Sequence, residues 1–304
     1  MSRPDLRLLR EVSRSFYLSI RVLPRPMRGA VALAYLLARA SDTLADTPGV
    51  APALKRSLLE GFAGELGGGD QAWRDDLGEF RERQEHAGER ALIGRMVSLF
   101  DQLAGLPDEE RTHVTAVATT IISGQRLDVE RSASGQHRMP DADSLEDYCH
   151  RVAGCVGLFW TRIGFATLGA RFSRSDPGEL EAMGERFGRG LQLVNILRDL
   201  PGDLEQGRCY LPAEPKPDAI LVESARWREV ARARMDDGLN YARRLRTRRL
   251  RIAVALPALL GIETLDRLDA ADWSMLQRGV KVTRRTVRMC FWKALGLSRR
   301  GTGA

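Results

Sequence analysis

The chain has 304 residues, of which 43% are hydrophobic and 29% are charged, as in an ordinary soluble globular protein. Its formal net charge is +7 and most basic residues are Arg, which fits a nucleic acid, a membrane surface or a polyanionic substrate as partner. The four cysteines form no C-x-x-C pair and the four histidines are scattered, which argues against a disulfide framework and a zinc site.

Two features bear on location. The N-terminus lacks the apolar stretch of a signal peptide, and the longest apolar runs, around 30–38 and 252–262, are too short to span a bilayer. The sequence therefore predicts a cytoplasmic protein that is free or peripheral on the inner face of the membrane.

Helix start and stop signals recur along the chain, whereas alternating strand patterns are almost absent. No repeat or linker divides the sequence, so we predict an all-α fold with a single domain over 1–304, a helical bundle around a central apolar cavity. Prolines, glycines and caps predict helices over 30–46, 52–65, 71–86, 92–103, 108–131, 144–170, 176–200 and 222–248, then an apolar helix with Pro257 and a basic segment over 279–304.

The first predicted helix carries a polar stripe. It lies between two prolines and Thr47-Pro48-Gly49, and residues 30–38 are apolar all round, which indicates a buried helix of about five turns. Four side chains spaced +4, +3 and +4 share one face: Tyr35, Arg39, Asp42 and Asp46. Because buried like charges repel, the two carboxylates predict a bound cation, and Mg²⁺ is the natural partner for carboxylate oxygens.

A solvated helix face is the simpler alternative for one such pair. With 40 acidic residues in the chain, chance alone produces about five acidic pairs at i,i+4 spacing. A second acidic stripe downstream makes the metal hypothesis stronger. Gly188, Gln192, Asn195 and Asp199 repeat the same spacing, and Gln and Asn on an apolar stretch are poor core residues unless they bind something.

Two such helices facing each other would bring carboxylates to one cavity mouth, where several Mg²⁺ ions would suit binding and ionisation of a diphosphate. Guanidinium groups pair with phosphate oxygens in a bidentate manner, so nearby arginines are candidate diphosphate ligands. These arginines are Arg14, Arg39, Arg198 and Arg208.

Three blocks of the sequence resemble the squalene/phytoene synthase family. The first is Ser13-Arg-Ser-Phe16 followed by the stripe that ends in Asp42-Thr-Leu-Ala-Asp46, and the second is Tyr148-x-x-x-Val-Ala-Gly-x-Val-Gly157. The third runs from Gln192 through Tyr210-Leu-Pro212. Together with Ala255-Leu-Pro257, the similarity extends from about residue 11 to 265 in the family's order.

The resemblance implies an isoprenoid synthase fold and head-to-head condensation of two prenyl diphosphates with Mg²⁺, or Mn²⁺ in its place. We favour two farnesyl diphosphates that give squalene, with NADPH as reductant. The alternatives are phytoene from two geranylgeranyl diphosphates, which needs no nicotinamide, and an enzyme that stops at presqualene diphosphate. No G-x-G-x-x-G follows a strand, so no Rossmann site supports NADPH binding.

The resemblance also implies roles for individual residues. Catalytic roles fall on Tyr148, Asp42, Asp46, Asp199 and Asp203. Metal ligands would be Asp42, Asp46, Asn195, Asp199 and Asp203. Substrate-binding residues would be Ser13, Arg14, Ser15, Phe16, Tyr35, Arg39, Gln192, Asn195, Arg198 and Arg208.

The third block departs from the family pattern. Gly202 stands where the family commonly has an acid, and Pro201 disfavours continuation of the helix past Asp199. We therefore predict that Asp203 lies on a turn and reaches the metal from a loop.

The central block has simpler structural interpretations. Tyr148 starts a helix and its hydroxyl could anchor it, whereas the resemblance implies a role in proton transfer or diphosphate orientation. Gly154 and Gly157 are expected to allow close helix packing, and His150 is expected to be structural.

Two non-enzymatic alternatives use the basic residues. A helical scaffold that keeps the fold without catalysis would be expected to lose the aspartates, and all four are present. Nucleic-acid binding would depend on clusters such as Arg243 to Arg251, which lack a recognition motif or stacking aromatics, so no nucleic acid is predicted as a partner.

The C-terminal segment predicts a membrane-surface helix. No acidic residue occurs from Gly279 to Arg300, and Val280, Val287, Cys290, Phe291 and Ala294 are spaced to share an apolar face with Trp292 nearby. The alternative is that this face packs on the domain and the basic residues are solvated.

Overall fold

The structure is a computed structural model that describes residues 3–12, 20–135 and 138–297. About 81% of it is helical, and within these ranges it contains 14 α-helices and no β-strand. The predicted all-α fold is therefore confirmed.

The chain divides into two compact units, residues 1–134 and 135–304. The predicted single domain and its central cavity stay predictions. The first unit contains a 3-10 turn (Ala72–Asp76) and α1 (Arg3–Val12), α2 (Arg25–Asp46), α3 (Pro52–Leu66), α4 (Leu77–Arg83), α5 (Ala87–Ile93), α6 (Met96–Ala104) and α7 (Asp108–Ser134).

Helix α2 contacts five other helices of the first unit: α1, α3, α5, α6 and α7. Pro26 occupies its first turn, where a backbone N–H has no helical partner in any case, so the helix begins about a turn earlier than predicted. Leu36 and Leu37 are buried, as the apolar run predicts. The helix ends at Asp46, and the four side chains of the polar stripe are half-buried or exposed.

The second unit is built around α10. This helix contacts its neighbours on both sides in the sequence, and Asp176 caps it by accepting a hydrogen bond from the Glu179 backbone N–H at 2.9 Å, as predicted. The elements of the unit are α8 (Ala142–Cys149), a π-helical turn (His150–Gly154), α9 (Cys155–Leu168), a 3-10 turn (Gly169–Arg171), α10 (Pro177–Glu205), α11 (Pro217–Arg244), α12 (Arg248–Asp269), α13 (Trp273–Gln277) and α14 (Arg284–Leu297).

The predicted end of this helix near Leu200 is wrong. Helix α10 continues through Pro201 to Glu205, so Asp203 lies on the helix and not on a turn. A proline within a helix removes one backbone hydrogen bond, and the next turn closes normally, with the Gln206 N–H bonded to the carbonyls of Gly202 and Asp203. Burial of Leu200 and Pro201 in the packed side of the helix offsets the lost bond.

Two other predicted boundaries are wrong for local reasons. Helix α8 starts two residues before Ser144, because the Asp141 carboxylate accepts a hydrogen bond from the Ser144 N–H at 2.8 Å and is the N-cap. The predicted helix over 92–103 is two helices, α5 and α6, because the chain turns tightly at Gly94, with the Arg95 N–H bonded to the Leu92 carbonyl.

The predicted helix over 71–86 is also divided, into the 3-10 turn and α4. Likewise, α11 ends at Arg244 and not near residue 248, since Leu245 is buried and forms an isolated β-bridge with Ser173. The end of α11 is therefore set by a tertiary contact, which the local sequence pattern does not reveal.

Glycines bring the central block close to α10. A Cβ atom at Gly157 would lie 1.9 Å from the Gly184 carbonyl oxygen, and one at Gly188 would lie 2.3 Å from the Ala153 carbonyl oxygen. The two backbones therefore touch, as predicted for the glycines of this block, and the intervening π-helical turn is of a kind that often occurs at functional sites.

Replacing Gly157 with Ala is expected to destabilise the protein by about 1–3 kcal/mol or more, because neither helix backbone can move away cheaply. Gly29→Ala is the matched control, since an added Cβ there meets nothing within 4 Å and removes helix-destabilising glycine. Urea unfolding of both variants tests this, and equal stability of the two would contradict the close contact.

One helical stretch among the described residues, Ala142–Arg171, is long and apolar enough to cross a membrane. Core helices of soluble proteins share this length and composition. Helix α10 packs against this stretch, and several side chains of the stretch are buried inside the second unit.

The single apolar face predicted for the C-terminal segment is wrong. Cys290 and Ala294 are buried in α14, which packs on α12, whereas Val287 and Phe291 are exposed. The predicted set therefore divides between a face that contacts the protein and a face that contacts solvent.

Candidate active site

The first carboxylate pair lies at the end of α2. Asp42 is partly buried and Asp46 is exposed. The Gln125 side chain, from α7, donates a hydrogen bond to Asp42 Oδ1, and Arg39 lies 4.0 Å from Asp42 Oδ2. Both predicted ligands are therefore accessible from solvent, and Asp42 is positioned by a second helix of the same unit.

Other polar contacts hold the rest of this stripe. Arg39 donates a hydrogen bond to Glu89 on α5, and the Tyr35 hydroxyl lies 3.4 Å from the Val12 carbonyl oxygen. The guanidinium predicted to bind diphosphate thus already has a carboxylate partner, with which a diphosphate would compete.

Burial raises the pKa of Asp42 to about 6, and repulsion by Asp46 adds to this shift, while Arg39 and the Gln125 hydrogen bond oppose it. Since the usual value is 3.8, the folded protein holds this proton more tightly than the unfolded chain does. Ionisation of Asp42 therefore lowers the stability of the metal-free protein as pH rises from about 4 to above 6.

In metal-free protein, Asp42→Asn is expected to raise the melting temperature by a few degrees relative to wild type at about pH 7, because the variant carries no charge to desolvate. Well below the usual value of 3.8, where Asp42 is protonated in the folded and the unfolded states alike, the difference should vanish. Asp75→Asn, at an exposed position, controls for the general charge change. A difference that is independent of pH would contradict the raised pKa.

The second carboxylate pair lies near the end of α10. Arg198 makes two hydrogen bonds to Asp199, from Nε at 2.8 Å and from Nη2 at 2.5 Å. Half of the Asp199 side chain is exposed, and Asn195 on the same stripe is exposed, while Gln192 is half-buried. These positions suit contact with a ligand better than a role in the core.

Asp203 is more enclosed. Its side chain is 20% exposed and lies 3.9 Å from Arg208 Nε, and the Arg208 backbone N–H bonds to the Asp203 carbonyl at 2.7 Å. Burial raises the pKa of Asp203 to about 6, Arg208 opposes the shift, and Asp199 adds to it.

Tyr148 lies in the second unit against a residue of the third block. Its side chain is 5% exposed, and its ring stacks on that of Tyr210 with the centroids 4.9 Å apart and the planes 22° apart. The loop that carries Tyr210 is held by a hydrogen bond from the Met139 N–H to the Cys209 carbonyl at 3.0 Å. The central and third blocks therefore meet at these two rings.

An ion-pair network surrounds the π-helical turn. His150 Nδ1 lies 2.7 Å from Glu185, and Arg189 bridges Glu185 and Glu146 at 2.5 and 3.3 Å. Arg234 also bonds to Glu146 at 2.5 Å. Burial raises the pKa of Glu185, but hydrogen bonds from Arg189 and His150 outweigh this and lower it, so the network is charged and His150 has a structural partner.

The two pairs have the donor chemistry of a Mg²⁺ site. Among the described residues, no group of three or more His, Cys, Asp or Glu side chains gathers in one place, so each pair offers two carboxylates. Mg²⁺ is usually held by one or two carboxylates together with waters and substrate phosphates. In addition, the buried Gln125 Oε1 accepts no hydrogen bond from the described residues, and a cation would relieve the repulsion that raises the Asp42 pKa.

Sequence reasoning missed three residues that complete these sites. Gln125 contacts Asp42, Glu89 contacts Arg39, and Tyr210 stacks on Tyr148. Tyr210 could have been found from its place in the third block, but Gln125 and Glu89 have no signal in the sequence. Ser13, Arg14, Ser15 and Phe16 lie outside the described residues.

The described residues form an all-α fold with two carboxylate pairs near helix ends, each beside an arginine. Carboxylates and guanidinium groups are the side chains with which proteins commonly hold Mg²⁺ and phosphate oxygens. The sequence profile of the squalene/phytoene synthase family matches residues 9–216. The chain belongs to this family, as the resemblance of its three blocks predicts.

Two curated relatives show the range of names in the family. The chain is 34% identical to presqualene diphosphate synthase of Zymomonas mobilis over 67% of its own length and 57% of the relative's. It is 31% identical to squalene synthase of Eremothecium gossypii over 68% of its own length and 45% of the relative's. The chain thus spans about half the length of these relatives.

A solved structure shows the same fold. The ligand complex of TcSQS with BPH1237 superimposes with a TM-score of 0.77 at 20% sequence identity, covering 96% of this chain and 86% of that chain.

Proposed function

We propose that this protein is a Mg²⁺-dependent prenyltransferase that condenses two farnesyl diphosphates head to head to presqualene diphosphate. The observation that carries this proposal is the two carboxylate pairs, each at a helix end and each with an arginine beside it. Membership of the squalene/phytoene synthase family and the 34% identity to a presqualene diphosphate synthase support it.

In the proposed reaction, the C–O bond of one farnesyl diphosphate breaks and diphosphate leaves with the bonding electrons. The double bond of the second substrate attacks the allylic cation, a proton is lost, and a cyclopropylcarbinyl diphosphate forms. When bound at the aspartates, Mg²⁺ supplies positive charge that stabilises the leaving diphosphate.

The protein's own residues are proposed to bind the diphosphates, to orient the substrates and to transfer the proton. Arg39, Arg198 and Arg208 are proposed to bind diphosphate oxygens, and Gln192 and Asn195 to orient the substrate or complete the metal site. The hydroxyl of the buried Tyr148 side chain is proposed to accept or relay the proton. Ser13 to Phe16 keep their proposed substrate-binding role from the resemblance alone.

Two further products are candidates. Squalene, formed with NADPH as hydride donor and loss of the second diphosphate, is favoured by the 31% identity to a squalene synthase. Phytoene from two geranylgeranyl diphosphates is favoured by the family, which includes both activities in its name. We propose a cytoplasmic location for all three alternatives.

One assay separates these alternatives. Purified protein is incubated with farnesyl or geranylgeranyl diphosphate and Mg²⁺ or Mn²⁺, with and without NADPH, and the products are identified by mass. Presqualene diphosphate in both farnesyl reactions supports the proposal, whereas squalene that requires NADPH or phytoene from the longer substrate replaces it. No product under any condition would favour a non-catalytic helical scaffold.

A further inference from the structure

Helix α14 has an exposed face that combines aromatic and basic side chains. Among the described residues, nine large hydrophobic side chains are exposed, and four of them lie on this helix: Val287, Met289, Phe291 and Trp292. Trp292 is 68% exposed, which is unusual for so large an apolar side chain. Concentration of such side chains on one helix marks an interaction surface.

The arginines of this face are available to a partner. Within the described part of the chain, no carboxylate lies within 4.0 Å of Arg284, Arg285 or Arg288, whereas other arginines of the second unit, such as Arg162, Arg186 and Arg232, have a carboxylate partner. Lys293, on the side of the helix next to α12, bonds to Glu263. The positive charge is therefore concentrated on the outward side.

Helical spacing places these two kinds of residue together. One stripe of the helix, with spacings of +4, +3 and +4, consists of Arg284, Arg288, Phe291 and Leu295. Arg285 and Trp292, which are seven residues apart, lie beside this stripe on the same side of the helix. The opposite side, Thr286, Cys290 and Ala294, is buried against α12. The helix is thus anchored by one side and presents a mixed aromatic and cationic side outward.

We propose that the outward face of α14 docks on an anionic lipid surface, the inner face of the membrane. Aromatic rings prefer the boundary between headgroups and acyl chains, and unpaired arginines are attracted by anionic headgroups. Charge complementarity selects this partner over a second copy of the chain, since two such faces would set unpaired arginines against each other. The proposal does not depend on which reaction the protein catalyses.

Full-length protein is tested by co-sedimentation with phosphatidylcholine vesicles that contain or lack phosphatidylglycerol. Wild type should bind the anionic vesicles more tightly. Arg285→Gln with Arg288→Gln should weaken this binding by about 30-fold, and Phe291→Ser with Trp292→Ser by about 10-fold or more. All four positions are exposed, so circular dichroism should be unchanged.

Two matched controls lie elsewhere in the second unit. Arg248→Gln with Arg249→Gln removes the same charge at exposed positions on α12, and Val222→Ser removes a 76% exposed apolar side chain from α11. Both should change affinity by no more than about twofold. Trp292→Phe should retain binding but lose the blue shift of tryptophan emission that vesicles induce, which identifies the inserted residue.

Two results would overturn the proposal. If the Arg248/Arg249 pair matters as much as the Arg285/Arg288 pair while the aromatic variant binds normally, the attraction is a general charge effect. If vesicles of either composition bind no wild-type protein, the face is not a lipid contact; a wild-type dimer in sedimentation velocity that is absent from the Phe291/Trp292 variant would then assign the face to a second copy.

Discussion

Asp42→Asn and Asp199→Asn are each expected to reduce product formation by about 10³-fold. Each change replaces a carboxylate oxygen by an amide at a proposed Mg²⁺ site, and a metal that neutralises a leaving diphosphate is worth several kcal/mol of barrier. Asn is nearly isosteric with Asp, so the packing of α2 and α10 should be unchanged. For Asp42, the loss of a partly buried charge even favours the metal-free fold, so lost activity cannot be attributed to unfolding.

The measurement is a steady-state rate of product formation at saturating farnesyl diphosphate, with far-ultraviolet circular dichroism of each variant. Asp75→Asn in the first unit and Asp236→Asn in the second are matched controls at exposed positions outside the two stripes. Near-wild-type turnover by Asp42→Asn or Asp199→Asn would show that the proposed metal assignment of that pair is wrong.

Asp199 requires one further distinction, because it also holds Arg198 by two hydrogen bonds. If Asp199 binds the cation, Asp199→Asn should raise the Mg²⁺ concentration needed for half-maximal rate, whereas Arg198→Gln should chiefly raise KM for the diphosphate substrate. If Asp199 acts only by orienting Arg198, both variants should show the same change in KM and the same Mg²⁺ dependence.

The stripes on α2 and α10 could be predicted from sequence because they depend only on helical periodicity. Asp42 and Asp46 share a face in any α-helix, and bracketing prolines and glycines are local signals that the structure bears out on α2. The same local logic correctly places the cap of α10 at Asp176. These are the features for which neighbouring residues in sequence carry all the information.

The rest depended on contacts between distant parts of the chain. Gln125 is 83 residues from Asp42, and Glu89 is 50 residues from Arg39, so neither pairing leaves a trace in local pattern. The prediction for Asp203 was wrong because a local rule, that proline ends helices, was outweighed by burial of Pro201 against the rest of the unit. On α14, periodicity identified the apolar positions, but only packing on α12 shows which of them are buried.

Tyr148→Phe is expected to lower turnover by roughly 100-fold, the usual contribution of a positioned proton-transfer group. The hydroxyl is the only group removed, and the stacking of its ring on Tyr210, with centroids 4.9 Å apart, is retained. Stability should therefore change by only about 1 kcal/mol. A fall in kcat with little change in KM would place the hydroxyl in the reaction and not in substrate binding.

Tyr241→Phe provides the matched control in the same unit. The Tyr241 side chain is 1% exposed, and its hydroxyl forms a 2.8 Å hydrogen bond with Thr161. Its removal is expected to cost about 1 kcal/mol of stability, because one hydrogen bond is lost while the Thr161 hydroxyl keeps its bond to the Gly157 carbonyl. Turnover at a temperature where both variants are folded should be normal for Tyr241→Phe and low for Tyr148→Phe. The reverse pattern for Tyr148→Phe, with stability lost and turnover kept, would identify the Tyr148 hydroxyl as an anchor of α8. A group that only holds the helix in place leaves the barrier of the chemical step unchanged.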